Sequence, residues 1–263
     1  MPTVTSRDGT AIAFEASGDG TPVIFVGPTL ADRSAGAPLA EQLAKHLTAF
    51  NYDRRGRGDS TDTPPYAIDR EVEDLAAIID EAGGSAFVIG GSSGAVLALD
   101  AAAHGLAITK LALYEPPLVV DDSRPPVPED YLHQLTTLLA ADRRGDAVTY
   151  YMTVMMGVPA DQVAGMRQAP FWRGWENLAH TLAYDATILE GTMTGKPLPA
   201  DRWATITAPT LVIDGGASPP FMHTGAQALA DLLPTGQRRT LQGQTHAVDV
   251  EILADTLTEF FTT

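Results

Sequence analysis

The chain has 263 residues and carries 33 acidic against 17 basic side chains, a net charge of −16, which argues against nucleic acid or an anionic membrane surface as a partner. With 44% hydrophobic residues and no apolar run as long as a bilayer is thick, it reads as a soluble protein of one large α/β domain, with or without an insertion. The absence of cysteine excludes disulfides, thiolate metal sites and cysteine nucleophiles. Met1–Asp8 shows neither the basic nor the apolar region of a signal peptide, so a cytoplasmic location is expected.

In chain order, Thr3–Glu15 reads as a hairpin about the turn signal Asp8-Gly9. Pro22–Val26 is a short, continuous apolar run of the kind found in strands covered on both faces, and it ends at Gly27-Pro28-Thr29. An amphipathic helix is expected over Asp32–His46 and a buried strand over Leu47–Tyr52. A Gly/Arg/Asp loop, Asp53–Ser60, follows, and then a helix over Ile68–Ala82. Its Arg54, Arg55 and Arg57 suit either an anion site or, as the favoured reading, a structural turn with locally paired charges. After the strand and helix about residue 92, a further strand is expected at Ile108–Tyr114. Alternating strands and helices define a parallel, doubly wound sheet.

The rhythm changes at Glu115-Pro116-Pro117. From Leu118 to about Pro199 no strand is evident. A proline cluster (Pro125, Pro126, Pro128) is followed by helical segments at Tyr131–Ala141, Asp146–Met156, Asp161–Arg167 and Phe171–Glu190. Strand and helix alternation resumes with Pro209–Asp214, a helix at Gly225–Leu233, a strand about Arg239–Leu241 and a helix over Val250–Phe261. The expected organisation is a core domain of 1–117 and 200–263 with an all-helical cap, 118–199, over the sheet edge.

The chemistry-bearing stretch is Phe87–Leu99, where an apolar run meets Gly90-Gly91-Ser92-Ser93-Gly94 and then an Ala/Leu-rich helical pattern. This fits G-x-S-x-G, in which a serine on a sharp strand-to-helix turn needs small neighbours two residues either side. Ser92 is the expected nucleophile. Ser93, flanked by Gly91 and Ala95, is the weaker register, and an ordinary Gly/Ser loop is the bland one.

A general base is sought among six histidines. Only His246 falls on a Gly-rich turn just after the last strand, Gln242-Gly243-Gln244-Thr245-His246. His46 and His104 look like helix-end surface residues. His133, His180 and His223 suit the cap region, with His223 the reserve base.

Taken together and in this order, these features resemble the α/β-hydrolases: an early strand with its turn, the Asp53–Ser60 loop, the elbow at Ser92, an inserted helical cap and a late histidine. The resemblance covers essentially the whole chain. It implies an α/β-hydrolase fold, a mostly parallel central sheet flanked by helices with an inserted all-helical cap. It also implies a Ser92 nucleophile with His246 as base, an oxyanion hole made by the N–H of Ser93 and one N–H from the Gly27–Thr29 turn, and no cofactor or metal. Pro28 has no N–H, so Thr29 (or Leu30) must supply the second donor. The acid departs from the commonest pattern, because the loop Gly215–Phe221 holds no carboxylate. The zearalenone-type lactone hydrolases look similar, with a Ser-Ser-Gly elbow and a Glu-x-Pro after the following strand. That likeness makes Glu115 the expected acid and Asp214 its alternative.

Soft and aromatic residues of the cap, Met152, Met156, Trp172, Trp175 and Tyr184 among them, are expected to line a substrate pocket with Leu30 and Pro219. The expected activity is cofactor-independent hydrolysis of a carboxylic ester or lactone of a hydrophobic small molecule. A carbon–carbon bond hydrolase with the same residues, a non-hydrolytic cyclase or lyase, and a binding or receptor protein are the alternatives. The oligomeric state, a homodimer included, is open.

Overall fold

The computed structural model describes residues 1–263. Eight strands form one sheet: β1 (Thr3–Thr5), β2 (Ala11–Ser17), β3 (Pro22–Val26), β4 (Thr48–Tyr52), β5 (Ala86–Gly91), β6 (Ile108–Tyr114), β7 (Thr210–Gly215) and β8 (Gly236–Leu241). Their spatial order is β1-β2-β4-β3-β5-β6-β7-β8. Both pairings of β2 are antiparallel, and every pairing from β4 onward to β8 is parallel. From β3 the chain passes to β4 on one side and to β5 on the other. That reversal opens a crevice at the carboxyl ends of β3 and β5, the usual ligand site of an open α/β sheet.

The two-residue alternation of a strand divides the core. Ile24, Val88 and Val212 point into one apolar cluster, and their neighbours Val23, Ile89 and Leu211 into another. The second cluster is closed by α1 (Arg33–Leu43) and α11 (Val250–Thr262). The first is closed by α2 (Ile68–Glu81), α3 (Ser93–Ala103) and α10 (Pro220–Leu232). It continues without a break into the helices between β6 and β7, through Leu118, Leu135, Val148 and Leu182.

Those helices are α4 (Tyr131–Ala140), α5 (Arg144–Tyr150), α6 (Ala160–Met166), α7 (Trp172–Leu178), α8 (Leu182–Ile188) and the short α9 (Ala200–Trp203). Three details differ from the sequence expectation. The helix expected to run to Met156 changes at Tyr151–Met155 into a π-helical turn. The single helix expected over Phe171–Glu190 is broken by a 3-10 turn at Ala179–Thr181, where the Thr181 hydroxyl donates to Leu178 O at 2.8 Å. Finally, α10 begins at Pro220, five residues before the expected Gly225, because proline suits the first turn of a helix, where an N–H has no partner to lose.

Candidate active site

The strand-to-helix turn after β5 holds Ser92 at φ 52°, ψ −122°, a conformation strongly disfavoured for a residue with a side chain. A Cβ on Gly90 would lie 2.5 Å from the Ala95 Cα, and one on Gly94 2.3 Å from the Val26 carbonyl oxygen. Gly91, by contrast, meets nothing closer than 3.6 Å. The steric demand for glycine therefore falls two residues either side of Ser92, and the Ser93 register is not the one built. Ser93 is instead the first residue of α3, where backbone N–H groups lack intrahelical acceptors.

Ser92 and Glu115 sit at the ends of neighbouring, hydrogen-bonded strands. Gly91 pairs with Tyr114, the Ser92 N–H donates to Tyr114 O at 2.9 Å, and the Glu115 N–H donates to Ile213 O at 2.9 Å. Glu115 is 1% exposed and has φ 44°. Its Oε1 accepts from the Gly215 N–H at 2.8 Å, and its Oε2 lies 2.7 Å from His246 Nδ1. Burial alone would raise this carboxyl. Hydrogen bonds from His246 and the Gly215 N–H outweigh that, and hold it below the ordinary glutamate value. A carboxylate only accepts, so Nδ1 of His246 is the nitrogen that donates here, and in the neutral imidazole the lone pair falls on Nε2.

The loop bearing His246 is tied down on both sides. The Tyr114 hydroxyl donates to Thr245 O, the Ala217 N–H donates to Gln244 O at 2.8 Å, and the Asp249 side chain caps α11 just beyond. Asp214, the alternative acid, is buried and occupied elsewhere. Arg238 grips both its oxygens at 2.8 and 2.9 Å, Thr240 donates to it, and its histidine is His223, 2.6 Å away. Both the alternative acid and the reserve base are thus absorbed in one side cluster.

The turn after β3 is strained as well, with Leu30 at φ 55°. No backbone carbonyl accepts from the Thr29 N–H, and the Thr29 hydroxyl donates to Ser93 Oγ at 2.9 Å. The carbonyls of the same turn are held by the arginines of the Asp53–Ser60 loop: Pro28 O accepts from Arg57 at 2.6 Å and Gly27 O from Arg54 at 3.3 Å. Both arginines are 1% exposed. Asp185 of α8 bridges them at 2.8 and 2.7 Å, and Glu71 of α2 takes Arg54 in a two-pronged pair at 2.7 Å. Arg55 is likewise closed by Asp74 and Asp8. These charges are structural, as favoured, but their partners come from α2, α8 and the β1–β2 turn rather than from the loop itself.

Ser92 and His246 border a cavity of about 280 Å³ against Phe25, Leu39 and Val250, and also two lobes that share Thr29, Ser92, Tyr151, Met156 and His246. One lobe, of about 230 Å³, is completed by Pro28, Leu30, Met152 and Trp175. The other, of about 40 Å³, is walled by Pro117, Arg124, Met155, Leu189, Met193, Phe221 and Met222. Of the expected pocket residues, Leu30, Met152, Met156 and Trp175 stand in these walls, and three do not. Trp172 is buried with its indole N–H on Glu176. Tyr184 stacks on Tyr66 and donates to Asp62, and Pro219 caps α10 while the next turn, Phe221 and Met222, faces the cavity. Sequence reasoning missed Tyr151 and Arg124. The π-helical turn carries Tyr151, Met152 and Met155 into the walls, and no residue spacing marks such a turn.

A model of the alpha/beta hydrolase family matches residues 20–252. An alpha/beta hydrolase from Sphaerobacter thermophilus DSM 20745 is 59% identical over 99% of this chain and 100% of its own, with a TM-score of 0.91. A thermophilic esterase from Thermogutta terrifontis, solved with malate bound, shows 22% identity over 99% and 96% of the two chains at a TM-score of 0.71. An enol-lactonase from Burkholderia xenovorans LB400 shows 21% identity over both whole chains at 0.70. The chain belongs to the α/β hydrolase family.

Proposed function

We propose that the protein is a serine hydrolase that cleaves a carboxylic ester or lactone of a largely apolar small molecule, without a cofactor. The observation that carries this reading is the pairing of His246 Nδ1 with the buried Glu115 carboxylate at 2.7 Å, beside a strained serine on the wall of the same cavity. Ser92 Oγ attacks the carbonyl as His246 Nε2 takes its proton. Glu115 keeps the imidazole oriented and stabilises the imidazolium. The N–H groups of Ser93 and Thr29 receive the oxyanion, a contribution worth ~10²–10³ in turnover per donor. The imidazolium then protonates the departing alkoxide, and water, activated by the same base, releases the acid from Ser92. Residues 118–199 act as a cap whose π-helical turn and methionines shape the acyl pocket.

Turnover of short-chain p-nitrophenyl esters and of a series of lactones by wild type and Ser92→Ala tests the reading. Hydrolysis that disappears in Ser92→Ala is expected. Turnover that survives the substitution would favour a cyclase or lyase, and tight binding of an ester without turnover would favour a receptor.

A further inference from the structure

The arginines of this protein are almost all neutralised. Every one is ion-paired except Arg173, which is exposed, and Arg124. Arg124 is half-buried in the wall of the smaller lobe, the one it shares with Ser92 and His246. One guanidinium nitrogen, Nη2, donates to the carbonyls of Met155 at 3.0 Å and Val154 at 3.4 Å, at the end of the π-helical turn. Its Cζ lies 4.9 Å from the centre of the Phe221 ring, within cation–π range. No protein group accepts from Nη1 or Nε. Burial without a carboxylate nearby pulls its pKa below the ordinary arginine value. In a chain with 33 acidic side chains, a half-buried cation in a cavity wall with none of them beside it is suited to an anion from outside.

We infer that Arg124 anchors a carboxylate on the substrate, so that the protein acts on esters or lactones with an apolar body and one anionic end. The inference rests on the hydrolase reading for its reaction but not for its binding site. The lobe of about 40 Å³ holds a few water-sized groups, since one water needs roughly 10–15 Å³ of such space, and this is room for a carboxylate rather than a ring. With Nη2 taken by the two carbonyls, Nη1 and Nε, which do not share an edge, each remain free to donate a charge-assisted hydrogen bond to a carboxylate oxygen. The larger lobe, walled by Leu30, Met152 and Trp175, takes the apolar remainder, and Ser92 stands where the lobes meet.

The test compares p-nitrophenyl half-esters of succinate, glutarate and adipate with the same compounds methylated at the free acid, on wild type, Arg124→Met and Arg124→Lys. Methionine keeps an apolar stem against Phe221, so the charge is what is removed. For at least one chain length, wild type is expected to favour the anionic ester by about tenfold or more in kcat/KM, mainly through KM. In Arg124→Met that ratio should fall to about one, and Arg124→Lys should fall between. A wild-type ratio of one or less at every length, or a ratio that survives Arg124→Met, would overturn the proposal.

Calorimetry on Ser92→Ala separates this proposal from the hydrolase reading. There, monomethyl glutarate should bind about tenfold or more tightly than dimethyl glutarate, and the difference should vanish when Arg124→Met is added. Arg124-dependent binding without any ester turnover by wild type would sink the hydrolase reading alone. Turnover with no discrimination by charge in either assay would sink the anion site alone.

Discussion

Three of the four non-glycine residues with positive φ are Leu30, Ser92 and Glu115, which lie at the carboxyl ends of β3, β5 and β6. Strain gathered at one place, each instance costing about 1–3 kcal/mol, persists only where the surrounding structure forces it. Here hydrogen bonds to Tyr114, Ile213 and Gly215 do so for the serine and the acid. The strained turn at Ser92 and the loop position of His246 were legible in the sequence because glycine spacing and a lone loop histidine are local signals. The carboxylate that pairs with His246 was only half legible. Both Glu115 and Asp214 end a strand, and what separates them is the engagement of Asp214 by Arg238, Thr240 and His223, a long-range fact. Their consequences differ. Glu115→Gln is expected to lower kcat by about 10³-fold or more, as loss of an orienting acid does in serine triads. Asp214→Asn should leave kcat within about threefold and lower Tm instead. The reverse pattern in steady-state kinetics and thermal melts would move the acid to Asp214.

Among the elements, β3 with its turn and the start of α3 are packed too closely for either to move alone. Gly94→Ala places a methyl 2.3 Å from the Val26 carbonyl and 2.6 Å from that of Gly27, so it should displace the turn that carries Thr29. We expect a fall in both Tm and turnover, with retained native-like turnover as the contrary result. The same turn hangs from Arg54 and Arg57, and these depend on Asp185 from α8, far along the chain. Asp185→Asn leaves buried Arg57 without a carboxylate and Arg54 with Glu71 alone, and should destabilise the protein by about 3–5 kcal/mol in denaturant titrations. Unchanged stability would show that the network is relaxed elsewhere. The sequence showed the arginine cluster but not its partners, because pairing across 128 and 131 positions leaves no periodic trace. The π-helical and 3-10 turns that interrupt the expected helices of 118–199 went unmarked for a related reason. Their apolar residues face both the sheet core and a cavity, which blurs the single stripe that marks an amphipathic helix.

At the scale of the whole molecule, most of the architecture was legible. Apolar strand runs, Gly/Pro punctuation and helical stripes agree with one another along β2 to α3 and again from β7 to α11. Stability should depend on pH through the buried carboxylates. Glu115, Asp185 and Asp214 are buried, but hydrogen bonds and neighbouring cations hold each below its ordinary pKa. Such groups contribute stability fully above their unfolded values of about 4 and lose it as pH falls through the lower folded values. Asp74, which burial raises, contributes with the opposite sign, one group against three. Tm is therefore expected to hold from neutral pH to about pH 5 and to drop steadily below about pH 4. A Tm that rose between about pH 4 and pH 2 would contradict this balance.

An activated Ser92 should react with a fluorophosphonate. Wild type, Ser92→Ala and Glu115→Gln would be incubated with the reagent and the adduct located by peptide mass. Stoichiometric modification of Ser92 is expected in wild type, none in Ser92→Ala and a much slower reaction in Glu115→Gln. Modification of Ser93 or of another residue instead, or a wild type left unmodified while it still turns over esters, would contradict it.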